Sequence, residues 1–212
     1  MTKVKICGIT DVSYARAAIE AGADLIGVVF APSLRQVTHE KAKEIAAAVK
    51  ERVPVVGVFV NMPAATVNSV AYSCGLDWVQ LSGDEGWEYC QEIEKPVIKA
   101  IHISPEWGEK ELLAHLEEGE RRLSSKPHVY LLDTLVENKY GGTGQAFSWE
   151  VASGAVAKFP IIVAGGLNPE NVGQVVSGLR PWGVDVSSGV ESEGVKDVNK
   201  IKAFIQAVRS AR

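Results

Sequence analysis

Two hydrophobic patterns alternate along the chain from its first residues to its last. Short apolar runs rich in Val and Ile alternate with segments in which apolar residues recur every three or four positions. The short runs are typical of buried β-strands, and the longer spacing is typical of amphipathic helices. We predict eight strands, at "VKIC", "LIGVVF", "VVGVFV", "WVQL", "VIKAI", "VYLLD", "IIVAGG" and "GVDV".

Three of the intervening segments have apolar residues at positions i, i+3, i+4 and i+7, which places each set on one helix face. The sets are Ala42, Ile45, Ala46 and Val49; Val67, Val70, Ala71 and Cys74; and Ile201, Phe204, Ile205 and Val208. The segment "EWGEKELLAHLEEGERR" has leucines at helical spacing and predicts a helix with a solvated, charged face. A capping residue before a proline predicts helix starts at Ser104 and at Asn168, because proline has no N–H to leave unpaired.

Strands that are apolar on both faces and alternate with helices indicate parallel βαβ units. Eight such units in 212 residues match a closed TIM (β/α)8 barrel. The competing architecture is a doubly wound open sheet, which usually has a G-x-G-x-x-G turn after its first strand. Here that turn reads "CGITDV" and has a single glycine. Because the sequence has no linker or low-complexity stretch, we predict one α/β domain, a TIM barrel, over residues 1–212.

Composition limits the partners and the compartment. The chain is 46% hydrophobic and 23% charged, which allows a large buried core, and its net charge of -4 argues against nucleic acid or an anionic membrane as a partner. Charged residues interrupt every apolar run near the start, so we expect neither a signal peptide nor a membrane-spanning helix. Three widely separated cysteines, Cys7, Cys74 and Cys90, give no disulfide framework and indicate a reducing cytoplasm.

Two proton-transfer groups stand at predicted strand ends. In a TIM barrel the active site lies at the carboxyl ends of the strands, where Cys7 ends the first strand and Asp133 ends the sixth. Each alone has a simpler explanation, since a strand cysteine is commonly a buried hydrophobe and an acid there can cap the next loop. The two together predict a catalytic pair, because packing does not require both.

Glycine pairs follow the last two predicted strands, in "VAGG" (163–166) and "SSGV" (187–190). These two loops commonly form a phosphate site in this fold, since glycine lets backbone N–H groups approach an anion closely. Tight turns that require a positive φ would explain one pair better than both. A third glycine cluster, "GGTG" at 141–144, is either a mobile lid or a loose connection.

One loop arginine is a candidate carboxylate ligand. Arg35 lies in "APSLRQV", just past the second strand, where its guanidinium either clamps a carboxylate or remains a solvated surface charge. The four histidines have neither H-E-x-x-H nor C-x-x-C neighbours, so we assign no metal. The sequence also has no G-x-S-x-G nucleophile elbow.

Six motifs together resemble those of a known family. "KICGIT", "FAPSLRQV", "QLSGDE", "LLDT" with "GGTGQAFSW", "VAGGLNPENV" and "VDVSSGVESEGVKD" run in order from the first strand to residue 197. This set resembles phosphoribosylanthranilate isomerase of tryptophan biosynthesis. Two positions depart from that family: Ser82 stands where histidine is common, and Ser148 stands where aspartate is common. These departures concern neither Cys7 nor Asp133.

The resemblance implies an isomerase that converts N-(5-phosphoribosyl)anthranilate into 1-(2-carboxyphenylamino)-1-deoxyribulose 5-phosphate by an Amadori rearrangement. Asp133 is then the general acid that protonates the ribose ring oxygen, and burial would keep this carboxyl protonated near neutral pH. Cys7 is the general base that removes the C2 proton, with thiolate character promoted by nearby positive groups. No cofactor is needed, because the iminium formed on ring opening is the electron sink.

The resemblance also implies a set of substrate contacts. Arg35 holds the anthranilate carboxylate. The phosphate rests on four backbone N–H groups, those of Gly165, Gly166, Ser188 and Gly189. Two further substrate-binding residues are Gly144 and Asp185. The partner is therefore a small phosphorylated molecule, and we expect the chain to be a monomer or a homodimer.

Two other functions remain open at this point. The related sugar isomerase of histidine biosynthesis performs the same rearrangement on a larger substrate with two phosphates. Such barrels usually have two phosphate sites and an aspartate at the end of the first strand, whereas this chain has Cys7 there and one evident glycine-rich site. A barrel that only senses phosphorylated metabolites would bind without turnover. The presence of both Cys7 and Asp133 argues against that function.

Overall fold

A closed barrel of eight parallel strands lies at the centre of the computed structural model, which describes residues 1–104, 106–134 and 151–211. The strands are β1 (Lys3–Ile6), β2 (Leu25–Val29), β3 (Val55–Phe59), β4 (Trp78–Leu81), β5 (Val97–Ile103), β6 (His128–Thr134), β7 (Ile161–Val163) and β8 (Gly183–Val186). The helices are α1 (Val12–Ala21), α2 (His39–Val49), α3 (Ala64–Ser73), α4 (Trp87–Glu92), α5 (Glu109–Arg122), α6 (Ser153–Lys158), α7 (Val172–Leu179) and α8 (Val198–Ser210). Between β8 and α8 lie a 3-10 turn (Ser188–Val190) and a small hairpin of β9 (Glu191–Ser192) and β10 (Val195–Lys196).

Pairing of the first strand with the last closes the barrel. β1 runs parallel to β8, from Lys3 opposite Gly183 to Ile6 opposite Val186, and the other strands pair in chain order. The predicted eight-stranded TIM barrel is therefore confirmed, and the open doubly wound sheet is wrong. The strand bounds differ from the predicted ones by at most three residues, and the largest difference is at β7, which ends at Val163 and leaves the glycine pair in the following loop.

The helices bury the faces that the sequence predicted. All twelve residues of the three apolar sets are buried. In α5 the buried positions are Leu112, Leu116 and Gly119, while the charged positions are exposed or half-exposed, so the predicted solvated face is confirmed. Among the described residues, no helix is both long enough and apolar enough to span a bilayer.

The two helix starts predicted from capping residues are wrong. Instead of beginning at Ser104 and Asn168, α5 begins at Glu109 and α7 begins at Val172. The side chain of Asn168 accepts hydrogen bonds from the N–H groups two and three residues further on, within a turn that precedes the helix. The Ser104 carbonyl closes another such turn with the N–H three residues later. A short polar residue stabilises a turn by the same hydrogen bonds with which it caps a helix, so the pattern does not separate the two.

The core has two apolar layers, one on each side of the barrel wall. The outer layer packs between the strands and the helices, and the inner layer fills the barrel. The inner residues are Leu25, Val56, Ile98, Ala100, Val129, Leu131, Ile162 and Ala164. Because successive strand side chains alternate, Val4 and Ile6 belong to the outer layer and Lys5 points inward. Cys7 and Asp133 lie at the carboxyl ends of their strands, and we call this end of the barrel the mouth.

Candidate active site at the barrel mouth

Cys7 lies at the mouth, one residue beyond β1. Its N–H donates to the carbonyl of Val186 at 2.8 Å, which extends the pairing with β8 past the end of the strand. A Cβ atom at Gly27 of the neighbouring strand would stand 2.9 Å from the Cys7 Sγ, so glycine leaves room for the thiol. Cys7 is thus buried at the strand end where the sequence places it.

Buried charges lie beside this thiol. Lys5 Nζ donates to Asp185 Oδ1 at 2.8 Å, and the lysine side chain is only 1% exposed. Burial raises the pKa of the Cys7 thiol, and Lys5, followed by Lys196, acts against that rise. Burial alone would lower the pKa of Lys5, but the charges of Asp185 and Cys7 outweigh it, so this pKa is raised. Asp185 thus favours the charged form of the lysine, and burial of the thiol opposes the loss of its proton. Positively charged neighbours of Cys7 were expected from the sequence. The sequence did not indicate that the effect of burial on the thiol pKa is larger than theirs.

Asp133 lies nearly opposite Cys7 across the mouth. It is the next-to-last residue of β6 and pairs with His102 of β5. Since Val129 and Leu131 of the same strand point into the barrel, alternation points Asp133 inward as well. The barrel has eight strands, and β6 is the third strand from β1 when they are counted through β8 and β7. A ligand that fills the mouth would therefore contact Cys7 on one side and Asp133 on the other.

Arg35 also reaches the mouth, where it is held by a buried glutamate. Its Nε and Nη2 donate to the two carboxylate oxygens of Glu191 at 2.7 and 2.8 Å. Its Cδ lies 2.5 Å from where a Cβ on Gly8 would stand, so the arginine crosses the backbone directly after Cys7. The Glu191 carboxylate occupies one edge of the guanidinium and leaves the Nη1 side for a second carboxylate.

Glu191 joins this arginine to a buried lysine. Lys196 Nζ donates to Glu191 Oε1 at 2.6 Å and to the Ser187 carbonyl at 2.9 Å, and its side chain is 2% exposed. Burial alone would raise the pKa of the Glu191 carboxyl, but hydrogen bonds from Arg35 and Lys196 outweigh it and lower the pKa. Glu191 is therefore a carboxylate at neutral pH, and it fixes Arg35 to the loop after β8.

The two glycine-rich loops touch each other beside Cys7. Gly165 and Gly166 have φ of +88° and +65°, a backbone conformation that favours glycine. A Cβ on Gly189 would stand 1.8 Å from the carbonyl oxygen of Leu167, so only glycine allows the loops to approach this closely. Within the described part of the chain, no hydrogen bond uses the N–H groups of Gly165, Gly166, Ser188 or Gly189. These N–H donors are therefore available to an anion.

An asparagine that the sequence analysis did not single out fixes the first of these loops. Asn171 Nδ2 donates to the carbonyl of Gly166 at 3.0 Å, and its Oδ1 accepts from the N–H of Asn168 at 2.8 Å. The hydrogen bond from Asn171 to the Gly166 carbonyl helps to hold Gly165 and Gly166 in the left-handed conformation. Lys5, Glu191, Lys196 and Asn171 were all missed as site residues, although each lies within a quoted motif.

Some predicted positions lie outside the described residues, namely Gly144, the rest of "GGTG" at 141–144, and Ser148. Ser82 is described: its hydroxyl accepts from Gln80 Nε2 at 2.9 Å, and its carbonyl lies 3.0 Å from His102 Nε2. This serine thus joins β4 to β5 at the mouth. Within the described ranges, no three His, Cys, Asp or Glu side chains are grouped as a metal site would require.

Comparison with known proteins identifies the family. The family model of N-(5'-phosphoribosyl)anthranilate (PRA) isomerase matches residues 4–207. The N-(5'-phosphoribosyl)anthranilate isomerase of Dehalococcoides mccartyi is 47% identical over 100% of this chain and 97% of its own length. The phosphoribosyl anthranilate isomerase structure from Thermotoga maritima is 39% identical, covers 99% of both chains and has a TM-score of 0.84.

Another solved structure of a phosphoribosyl anthranilate isomerase, 38% identical to this chain, contains reduced 1-(o-carboxyphenylamino)-1-deoxyribulose 5-phosphate. It covers 99% of both chains with a TM-score of 0.81. The sequence and the barrel both agree with these relatives. The chain belongs to the phosphoribosylanthranilate isomerase family of tryptophan biosynthesis.

Proposed function

We propose that this isomerase converts N-(5-phosphoribosyl)anthranilate into 1-(2-carboxyphenylamino)-1-deoxyribulose 5-phosphate with Asp133 as general acid and Cys7 as general base. The observation that supports these roles is the placement of the two groups nearly opposite each other at the mouth, between a cluster of N–H donors and an arginine. An Amadori rearrangement needs one proton delivered and one removed on the same sugar. Two separated proton-transfer groups suit that requirement.

In the first step Asp133 gives its proton to the ribose ring oxygen. The bond between C1 and that oxygen breaks, and the nitrogen lone pair forms the C1 iminium. The inward position of Asp133 near the end of β6 supports this role, because it directs the carboxyl at a ligand that fills the mouth.

In the second step Cys7 removes the proton from C2 as a thiolate. The C2–H electrons form the C1–C2 double bond and neutralise the iminium, which gives an enolamine. A proton then moves from the C2 hydroxyl to C1, and the ketone is formed. Since burial raises the pKa of this thiol, the positive charge of the iminium favours the thiolate at the required moment.

The two anionic groups of the substrate match two separate sets of hydrogen-bond donors at the mouth. The phosphate would accept hydrogen bonds from the free N–H groups of the glycine loops, at Gly165, Gly166, Ser188 and Gly189. The anthranilate carboxylate would take the open edge of Arg35 that Glu191 leaves unused. Gly144 and Asp185 remain proposed substrate contacts, and Asp185 Oδ2 is the oxygen that Lys5 leaves for a ligand. No cofactor enters these steps.

We also propose a domain organisation, a cellular compartment and an oligomeric state for the chain. Pairing of β1 with β8 closes one barrel from the first of its strands to the last, which supports a single domain over residues 1–212. Three free cysteines in separate places and a net charge of -4 suit a cytoplasmic enzyme, either monomer or homodimer, that binds neither nucleic acid nor membrane.

Anthranilate fluorescence tests the proposal, because it is lost as freshly made substrate is converted. We expect turnover by the wild type and a loss of roughly 10²–10⁴-fold in Cys7→Ala with an unchanged circular dichroism spectrum. Cys74→Ala and Cys90→Ala change buried thiols away from the mouth and serve as controls that stay active. A Cys7→Ala enzyme with wild-type turnover would make the thiol a packing residue. Tight binding of the reduced product without turnover would indicate a sensor.

A further inference from the structure

Lys5 is a buried cation that the proposed mechanism does not use. Its side chain points into the barrel from β1 and is 1% exposed. Burying an ammonium group is unfavourable unless it is paired and hydrogen-bonded, so a strand position of this kind normally holds an apolar residue. The inner layer next to it is indeed apolar. A charge retained here therefore requires an explanation beyond packing.

Lys5 Nζ and Cys7 Sγ both lie against the same glycine, Gly27 of β2. A Cβ on Gly27 would stand 3.0 Å from Lys5 Nζ and 2.9 Å from Cys7 Sγ, so these two atoms are at most about 6 Å apart. From the other side, Asp185 Oδ1 holds the same Nζ at 2.8 Å. Lys5 Nζ thus lies between the Asp185 carboxylate and the Cys7 thiol, and Gly27 faces both the Nζ and the Sγ atoms.

The other charges that face Cys7 have a different partner. They are Lys196 of β10 and Arg35 of the loop after β2, and both are bound to Glu191. Among the groups that favour the Cys7 thiolate, Lys5 has the largest effect. Asp185 of β8 opposes it, but its effect is smaller than that of the lysine charge.

We propose that Lys5 is a positioning residue that stabilises the Cys7 thiolate, and that Asp185 holds it charged and directed at the sulfur. This inference rests on the proposed role of Cys7 as base. When the thiol loses its proton to water, the new negative charge lies beside the Lys5 ammonium. When the thiolate takes the C2 proton, the neutral thiol is restored. The lysine gains and loses no proton in either event.

Lys5→Met keeps the length of the side chain and removes the charge. We expect the pH midpoint for carboxamidomethylation of Cys7, followed by mass spectrometry of its peptide, to rise by about one unit or more, because an adjacent cation shifts a pKa by about 1–3 units. The turnover rate at pH 7 should fall about tenfold or more and recover as the pH is raised. KM should change little, since Lys5 is not proposed to contact substrate.

A second variant covers the case in which Lys5→Met leaves Asp185 unpaired and fails to fold. Lys5→Met combined with Asp185→Asn removes both charges, and its alkylation midpoint should also exceed that of the wild type. Lys99→Met, which removes another buried lysine, is the matched control and should keep the wild-type midpoint. An unchanged midpoint in the folded Lys5 variants overturns the proposal. It leaves the role of Cys7 intact, because that role is decided separately by Cys7→Ala.

Discussion

Two buried lysines lie on opposite faces of the same barrel wall and differ in what surrounds them. Lys5 points inward from β1, while Lys99 points outward from β5, between inner-layer neighbours Ile98 and Ala100. Each pairs with one carboxylate, Lys5 with Asp185 at 2.8 Å and Lys99 with Glu85 at 3.3 Å. The residue types are nearly the same, so any difference in role must come from their surroundings.

The outward pair is bound to the backbone of two loops. Lys99 Nζ also donates to the carbonyl of Gly83 at 3.0 Å. The Glu85 carboxylate accepts from the N–H of Asn61 at 2.7 Å and from that of Gly83 at 2.8 Å. These bonds fasten the loops that follow β3 and β4. The inward pair instead lies next to a thiol at the mouth. The outward pair has the contacts of a structural pair, whereas the inward pair lies beside the proposed base, so we expect the outward pair to affect stability and the inward pair to affect the reaction.

The largest expected effect is at the mouth, with Asp133→Asn. This change keeps the size of the side chain but removes the exchangeable proton, so kcat should fall roughly 10²–10⁴-fold with little change in KM. Calorimetry with the reduced, open-chain product provides the control. That ligand has no ring to open, and it should bind the variant as tightly as the wild type. Parallel loss of this affinity would assign Asp133 to holding the ligand, and wild-type turnover would remove it from the chemistry.

Lys99→Met tests the outward pair. It leaves the Glu85 carboxylate buried without its cation, so the free energy of unfolding should fall by about 3–5 kcal/mol. Chemical denaturation measures this loss, and kcat of the folded enzyme should stay close to wild type. The exposed Lys43→Met is the control and should change stability by no more than about 0.5 kcal/mol. If Lys99→Met lost activity and kept its stability, the contrast between the two pairs would fail.

Arg35→Ala separates binding from chemistry at the mouth. Losing a charge-assisted contact to the anthranilate carboxylate costs about 2–3 kcal/mol, which corresponds to a rise in KM of about 30- to 150-fold. Steady-state kinetics measures it, and the affinity for inorganic phosphate should be unchanged. Glu191 keeps Lys196 as a partner in this variant, so the loop after β8 stays in place. A KM equal to that of wild type, or of the exposed Arg16→Ala control, would show that Arg35 does not bind substrate.

Gly165→Ala gives the smallest expected effect. Its φ of +88° strains any residue with a Cβ by about 1 kcal/mol, so we expect the free loop to relax out of this conformation. Phosphate binding must then restore the strained conformation, and the dissociation constant for inorganic phosphate should rise about fivefold. Gly178→Ala in α7 is the matched control, because a Cβ there would meet nothing within 4 Å. In a helix this change should raise the free energy of unfolding by about 0.5–1 kcal/mol and leave phosphate binding unchanged. Equal phosphate affinities in the two variants would contradict the predicted phosphate site.

The sequence by itself determined the barrel and the candidates that depend on strand ends. The apolar runs and the helical spacing are local properties, and burial on both strand faces is visible in composition alone. Cys7 and Asp133 follow from the same reasoning, since a polar residue at the end of an apolar strand can be found without knowing its neighbours. The helix starts were wrong at Ser104 and Asn168, because the hydrogen bonds that cap a helix also form turns.

The tertiary structure alone decided which charges meet. Lys5 and Asp185 are 180 positions apart in the chain, and Arg35 and Glu191 are 156 apart. Only closure of β1 on β8 and the return of the hairpin after β8 bring them together. In the sequence Lys5 is one charge that interrupts an apolar run, since its direction and its partner depend on the whole barrel. The same closure buries Cys7, so the structure rather than the motif determines how readily the thiol gives up its proton.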